Sequence, residues 1–190
     1  MPTEPPFRCC TRAFRPGVVL ALALIARAAG AAAPDLLLIT LDTVRADLPG
    51  CYGGPARTPR LDALAAGGVR FTQALSPVPL TLPAHASLFT GLDPNQHGLR
   101  DNGQGALATS IPTLAELLQG AGYATVAVVG SRVLDRRFGL ERGFGIYDDW
   151  MTAEYTGEFG YPERPAAAVV DAALAGAEKA GSDRPLFLWV

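Results

Sequence analysis

The feature that most constrains the fold is an unbroken apolar run at residues 36–41 (LLLITL), which ends at Asp42. Apolar runs without polar alternation are typical of strands buried on both faces, as in a parallel sheet. The valine-rich segment 123–129 (YATVAVV) and the segment 186–190 (LFLWV) predict a second and a third strand. A short strand is also expected at residues 69–74.

Helical segments separate these strands. Residues 58–67 begin with Thr58 as a candidate N-cap and Pro59 as the first helical residue, and Gly67 can end the helix. Residues 112–120 repeat the pattern of an early proline and a late glycine, and residues 165–180 predict a long helix. Alternation of strands and helices predicts an α/β fold with a largely parallel sheet. Ligands in such sheets bind beyond the carboxyl ends of strands, where Asp42 lies.

The segment 79–91 (PLTLPAHASLFTG) predicts a short helix with polar groups at its start. Pro83 is tolerated in a first turn, and Gly91 can end the helix, so Thr81 should lie at or just before the N-cap. His85 returns to the same face one turn later. A hydroxyl, an imidazole and free backbone N–H groups would then converge on one spot, which suits an anionic ester.

The composition limits which kinds of binding partner are expected. The 190 residues are 49% hydrophobic and carry a formal net charge of −2, which is ordinary for one globular domain. Nothing is strongly basic, so nucleic acid is not expected as a partner. The chain stops inside the apolar run 186–190, and we therefore expect it to be the front part of a longer protein.

Residues 1–33 have the pattern of a secretory signal peptide. Arg8, Arg12 and Arg15 precede the apolar run 18–26 (VVLALALIA), and small residues follow at 28–33 (AAGAAA). A spanning helix needs about 20 apolar residues, so the run is short for a membrane span. The alternative is an uncleaved anchor that uses the alanine-rich flank. We expect an exported protein, periplasmic or extracellular, that contacts the membrane only through this segment; its oligomeric state is left open.

Cleavage of the signal segment can be measured directly. Signal peptidase is expected to remove about the first 33 residues, so blocking the peptidase should raise the mass of the mature protein. An unchanged mass under inhibition would contradict cleavage and favour the anchor.

Several motifs, taken in order, resemble the sulfatase family of the alkaline-phosphatase superfamily. They are LDTVRAD at 41–47, CYG at 51–53, TPRLDALA at 58–65, GVRFT at 68–72, the segment 81–91, and HGLRDNG at 97–103. The likeness covers about residues 35–150. It implies an alkaline-phosphatase-like sandwich with a largely parallel central sheet, of which residues 34–190 are the N-terminal portion only, truncated within a sulfatase-like catalytic domain.

The resemblance implies that Asp42 binds a divalent metal cation, with calcium favoured over manganese or zinc. The alternative is a carboxylate that caps the next turn. Many sulfatases carry a second aspartate where this chain has Thr43. Calcium takes six to eight oxygen ligands, which Asp42 and Thr81 cannot supply alone. We expect residues 34–190 to bind divalent metal weakly and to be inactive; tight calcium binding in calorimetry would contradict this.

The family's nucleophile motif is Cys-x-Pro-Ser-Arg, with the cysteine converted to formylglycine, whereas this chain has TLPAH at 81–85. Thr81 thus replaces the formylglycine cysteine and is the candidate nucleophile and a metal ligand. A formylglycine hydrate keeps a second hydroxyl that expels sulfate, and threonine has no such exit. A phosphorylated Thr81 can be resolved by water, so threonine favours phosphoryl over sulfuryl transfer. The alternative for Thr81 is a plain helix cap, which contributes about 1 kcal/mol.

Two further residues are candidates for the site. His85 could hydrogen-bond the ester oxygens or protonate the leaving group, and the alternative is a helix histidine bonded to backbone. Asn102 matches an asparagine that binds a non-bridging ester oxygen in phosphonate and phosphodiester hydrolases similar to sulfatases; the alternative is a turn residue. His97 is expected to be structural. Ser131 and Val133 stand where typical sulfatases place an anion-binding lysine and histidine.

These features favour a hydrolase of sulfate or phosphate esters that uses a metal-assisted threonine nucleophile. Its substrate would be an ester of a small molecule, a glycan or a lipid. Two alternatives stay open. One is a phosphoethanolamine-type transferase, which normally has several membrane spans before its catalytic domain. The other is a non-catalytic binding module that has kept the sulfatase fold.

Overall fold

The computed structural model describes residues 33–151 and 163–190. The predicted signal peptide therefore lies outside the described residues except for Ala33. Within the described ranges, no helix combines the length and the apolar character that a membrane crossing requires.

Strands and helices alternate along the described chain. The strands are β1 (Leu36–Leu38), β2 (Ala124–Val128), β3 (Ile146–Asp148) and β4 (Leu186–Trp189). The α-helices are α1 (Pro59–Gly67), α2 (Thr81–Thr90), α3 (Pro94–His97), α4 (Leu114–Gly120) and α5 (Ala166–Ala180). Single 3-10 turns lie at Gly50–Tyr52, Arg132–Leu134 and Arg136–Phe138.

The four strands form one parallel sheet in the order β1-β4-β2-β3. Leu188 of β4 is paired with Leu37 on one side and with Val126 on the other. Parallel neighbours need crossover connections, and helices supply them here. The predicted α/β class and largely parallel sheet are therefore confirmed.

Side chains of the central strands alternate between two apolar layers. Ala127 of β2 and Phe187 and Trp189 of β4 pack in the larger core with α2. Val126 and Val128 point to the opposite layer, where they pack against α5. Because successive strand residues face opposite sides, a continuous apolar run can serve both layers at once. The sheet therefore lies between helices, with α2 held against one face.

β1 differs from the prediction. It covers only three residues and borders β4 alone. In the run 36–41, Leu37 is 63% exposed, Ile39 57% and Leu41 59%. The run 36–41 was predicted to be buried on both faces, and this is wrong for the described residues. The apolar run correctly predicted a strand with parallel pairing. Burial of its side chains depends on neighbouring elements, which an edge strand lacks on one side.

Two further predictions of local structure need correction. Residues 69–74 form no strand; they lie in irregular backbone after α1. Thr81 is not at the N-cap, because Leu80 holds that position in extended backbone and Thr81 is the first residue of α2. Pro83 therefore occupies the third helical position. Gly91 ends α2 in the left-handed region at φ 69°, as predicted.

The start of α4 is a capping box. Thr113 Oγ1 accepts from the backbone N–H of Glu116 at 3.1 Å, and the Glu116 carboxylate accepts from the Thr113 N–H at 2.8 Å. The loop before β3 packs directly on this turn. Gly143 lies there at φ 84°, and a Cβ at Gly143 would overlap the backbone of Ala115 and Glu116.

Gly143→Ala is therefore expected to destabilise the chain by roughly 2–4 kcal/mol, because it combines a left-handed φ with a backbone clash. Gly120→Ala is the matched control, since a Cβ at Gly120 would meet no atom within 4 Å and Gly120 has no left-handed φ. Urea unfolding of both variants measures the difference. Equal midpoints would show that the loop can move away from α4.

Candidate active site

The first turn of α2 meets the loop after β1. Thr81 Oγ1 donates a hydrogen bond of 2.9 Å to Asp42 Oδ2 across 39 residues of sequence. The other carboxylate oxygen, Asp42 Oδ1, accepts from the N–H of Thr43 at 3.0 Å. Thr43 has φ 56°, the one positive φ of a non-glycine residue in the described ranges. Such a backbone is costly for threonine, and here it accompanies the hydrogen bond to the carboxylate that faces Thr81.

The side chain of Asn102 caps the N-terminal turn of α2. Its Oδ1 accepts from the N–H of Leu82 at 2.9 Å, and its own N–H donates to Asp101 at 2.8 Å. The side-chain amide is therefore oriented, and its NH₂ donors are left for another partner. The predicted set of free N–H groups is reduced at this helix end: the N–H of Leu82 donates to Asn102 Oδ1, Pro83 has no N–H, and the N–H of Ala84 donates to Leu80 O at 3.0 Å. The N–H of Thr81 makes no hydrogen bond to the described residues.

His85 is buried, with 7% exposure, and contacts Thr81 through the backbone rather than through the hydroxyl. Its Nδ1 lies 2.7 Å from Thr81 O. A carbonyl oxygen can only accept, so Nδ1 carries the proton and Nε2 of a neutral ring is an acceptor. Nε2 is buried and has no hydrogen-bond partner in the described residues. The ring also lies against Trp189, with centroids 5.6 Å apart.

Trp189 is a site residue that the sequence analysis treated only as part of a strand. It is fully buried, and its Nε1 donates to Thr40 Oγ1 at 3.2 Å. Thr40 continues the pairing of β1 with β4, since its N–H bonds to Val190 O at 2.8 Å. Trp189 thus packs against His85 and holds the chain that leads to Asp42. No sequence motif indicated this role, because the contacts join positions about 100 to 150 residues apart.

His97 is structural, as predicted. It ends α3, is 3% exposed, and accepts at Nδ1 from the N–H of Leu99 at 3.2 Å. Its Nε2 therefore carries the proton and lies 3.0 Å from Ser87 Oγ on α2. Burial lowers the pKa of His97 below its ordinary value of 6.5. The two bonds hold a neutral imidazole between α2 and the following loop.

Two clefts open on either side of Asp42 and His85. One has a volume of about 800 Å³ and reaches along α2 to Asp93. The other, of about 580 Å³, lies beyond the carboxyl ends of the strands and reaches the start of α5 at Arg164 and Ala166. Asp42 and His85 line both clefts. The site therefore lies at the sheet edge where parallel α/β proteins bind ligands.

The oxygen atoms near Thr81 are of the type that binds a hard cation. Asp42 offers a carboxylate and Thr81 a hydroxyl, and oxygen donors of this type are what calcium and magnesium take. Across residues 33–151 and 163–190, no group of three or more His, Cys, Asp or Glu side chains is placed to hold a metal. Asp42 and Thr81 are therefore part of a donor set and do not form a complete one.

The two positions after Gly130 that the resemblance singled out carry no charge. Ser131 lines the cleft of about 580 Å³, whereas Val133 packs against the larger core. Any cation that faces an ester from this side must come from elsewhere in the chain.

Comparisons with known proteins agree with this fold. The family model described as Sulfatase matches residues 34–190. Arylsulfatase A from Bos taurus is 44% identical over 112 residues, which cover 56% of this chain and 22% of that protein. Steryl-sulfatase from Mus musculus is 40% identical over 106 residues, covering 50% of this chain and 17% of that protein.

A solved structure of a 2-O GAG sulfatase superposes with a TM-score of 0.63 at 26% identity, over 82% of this chain and 34% of that one. The chain belongs to the sulfatase family, and its fold is the N-terminal portion of the alkaline-phosphatase-like α/β sandwich. It spans about a fifth of the length of the curated relatives described above.

Because the pKa of His97 is lowered in the folded chain, the unfolded chain binds more protons below pH 6.5. The stabilisation from neutral His97 is therefore complete above pH 6.5 and is lost as pH falls through the lowered value. His97→Gln should flatten the dependence of unfolding free energy on pH between about 5 and 7. Urea unfolding at several pH values measures it.

Ser87→Ala is the control, because it removes the hydroxyl partner and keeps the buried imidazole. Its unfolding free energy should still fall with acid. An unchanged slope in His97→Gln would assign the pH dependence to another group.

Proposed function

We propose that this chain is the N-terminal part of a metal-dependent ester hydrolase in which Thr81 is the nucleophile. The hydrogen bond of 2.9 Å from Thr81 Oγ1 to Asp42 Oδ2 carries the proposal. It joins the two positions that match the nucleophile and the cation ligand of sulfatases. A plain N-cap role is disfavoured, because Leu80 is the N-cap and the Thr81 hydroxyl is bonded to Asp42.

In the first step, Thr81 Oγ1 attacks the phosphorus or sulfur of the ester, and the bond to the leaving oxygen breaks. The hydroxyl proton passes along its hydrogen bond to Asp42 Oδ2, and the leaving alkoxide takes up a proton from solvent. The NH₂ of Asn102, oriented by the bond to Leu82, would donate to a non-bridging oxygen as charge develops there. The product of this step is an ester of Thr81.

In the second step, water attacks the phosphorus of the Thr81 ester, the bond to Thr81 Oγ1 breaks, the oxyanion leaves, and Asp42 returns the proton to Thr81 Oγ1. The orientation of His85 bears on this step, because Nδ1 faces Thr81 O and Nε2 is the nitrogen left to accept when the ring is neutral. A role in accepting a proton from water suits this tautomer, whereas protonating the leaving group would require the imidazolium. His85 is thus assigned to the hydrolysis of the covalent ester.

Asp42 and Thr81 would contribute to holding a divalent cation, calcium before manganese or zinc, which when bound would favour the ionised hydroxyl and offset charge on the ester. The incomplete donor set agrees with a chain that spans a fifth of its relatives.

Phosphate esters and phosphonates are the substrate class that threonine favours. A sulfated threonine lacks the second hydroxyl by which formylglycine expels sulfate, whereas water can displace phosphate from phosphothreonine. The family relationship supports sulfate esters, and the likeness to a 2-O GAG sulfatase supports a glycan as the carrier. We propose a small-molecule, glycan or lipid ester, processed by an exported protein, with phosphate preferred to sulfate.

Thr81→Ala tests the nucleophile in the full-length protein. Turnover of an aryl phosphodiester, an aryl phosphonate and an aryl sulfate should fall at least about 100-fold, while Thr81→Ser should keep measurable activity. Each substrate is assayed with calcium, manganese and zinc. Mass spectrometry of acid-quenched protein should locate the covalent ester at position 81 in the parent and in Thr81→Ser.

Thr90→Ala is the matched control, since Thr90 lies on the same helix and bonds to Ala86 O at 2.7 Å, away from Asp42. Full activity of Thr81→Ala would remove the hydroxyl from the mechanism. Turnover of the sulfate ester alone would overturn the phosphate preference. A folded parent with no turnover of any ester would favour the non-catalytic module.

A further inference from the structure

The cleft of about 580 Å³ contains a cation that the sequence motifs do not point to. Arg164 is the one lysine or arginine among its described lining residues, which also include Asp42, His85, Ser131 and Glu163. Arg164 lies just before α5, so it approaches the site from the opposite side to α2. Its side chain is 11% exposed.

Two strands hold Arg164 at the edge of the sheet. Its backbone N–H donates to Gly130 O, after β2, at 2.9 Å. Its Nη1 lies 3.1 Å from Asp148 Oδ1 and its Nη2 donates to Asp148 Oδ2 at 3.3 Å, at the end of β3. Asp148 is further fixed by the N–H of Trp150 at 3.1 Å. The backbone of Arg164 is therefore fixed beside Gly130, and its guanidinium is fixed at Asp148.

Arg164 has hydrogen-bonding capacity to spare. Its Nη1 is buried and makes no hydrogen bond of good geometry in the described residues, although it is in ion-pair range of Asp148. A buried donor without an acceptor is costly, and a guanidinium has five N–H groups. His85 Nε2 is a second buried, unpartnered atom on the same cleft. At the start of α5, the N-cap Pro165 makes no side-chain capping bond.

We propose that Arg164 binds an oxyanion of the substrate in this cleft and sets the preference for charged esters. Ser131, just after Gly130, lines the same cleft and carries no charge. The backbone N–H of Arg164 is bonded to Gly130 O, and the Arg164 side chain, paired with Asp148, is the cation of this lining. The planar guanidinium suits the paired oxygens of phosphate or sulfate.

This inference rests on the proposed function for the identity of the ligand, and binding can be measured without turnover. The full chain is titrated with inorganic phosphate and with sulfate in calorimetry at fixed ionic strength. Arg164→Gln should raise the dissociation constant about tenfold or more, and Arg164→Lys should recover part of the affinity. Glu163→Gln should tighten binding, because it removes a negative charge from the cleft lining.

Arg60→Gln is the matched control: it makes the same change in net charge at an exposed position of α1 outside both clefts. Its dissociation constants should equal those of the parent. Equal affinity in a folded Arg164→Gln, or no binding by the parent, would overturn the proposal and leave Arg164 as a structural clip on Asp148. Calorimetry measures anion binding without turnover, whereas the Thr81→Ala assay measures turnover, so failure of the anion site and failure of the nucleophile are separable.

If Arg164→Gln does not fold, NMR of the parent protein tests whether Arg164 binds the anion. The guanidinium Nε–H resonance of Arg164, assigned from its absence in Arg164→Lys, should shift with phosphate and saturate at the calorimetric dissociation constant. No shift at saturating phosphate would also overturn the proposal.

Discussion

The site depends on the packing of α2 against β4 through one buried indole. Trp189 lies within 4.6 Å, centroid to centroid, of Phe89 and within 5.6 Å of His85. Its N–H is satisfied by Thr40, which a buried indole requires. Because the same side chain contacts the helix and the chain after β1, it fixes the distance between Thr81 and Asp42. Loss of this packing would separate the hydroxyl from the carboxylate without altering either residue.

A second constraint acts at the start of α2. Helix N-termini usually offer several N–H groups to an anion. Here Pro83 has no N–H and Asn102 accepts from the N–H of Leu82, so fewer backbone donors are available at this helix end. The oriented NH₂ of Asn102 and, in our proposal, the guanidinium of Arg164 supply donors that the helix end does not.

Prediction from sequence succeeded where the signal was local. The strand at 123–129, the helix at 165–180 and the stop at Gly91 follow from periodicity, apolar content and a left-handed terminus. It failed where neighbours decide. The run 36–41 was expected to be buried, yet β1 borders only β4, and residues 69–74 form no strand because no described strand pairs with them. The secondary-structure propensity of a segment does not show which neighbouring strand or helix is there to pair with it or cover it.

The sequence by itself determined the class of fold, the family and the identity of the candidate nucleophile, because these are written in apolar runs and in motifs of fixed spacing. Only the tertiary structure decided which polar groups come into contact. The pairing of Thr81 with Asp42, the tautomer of His85 and the approach of Arg164 to Gly130 each join segments or atoms whose relation no spacing encodes. Hydrogen bonds depend on distance and angle, and only packing of the helices on the sheet sets those.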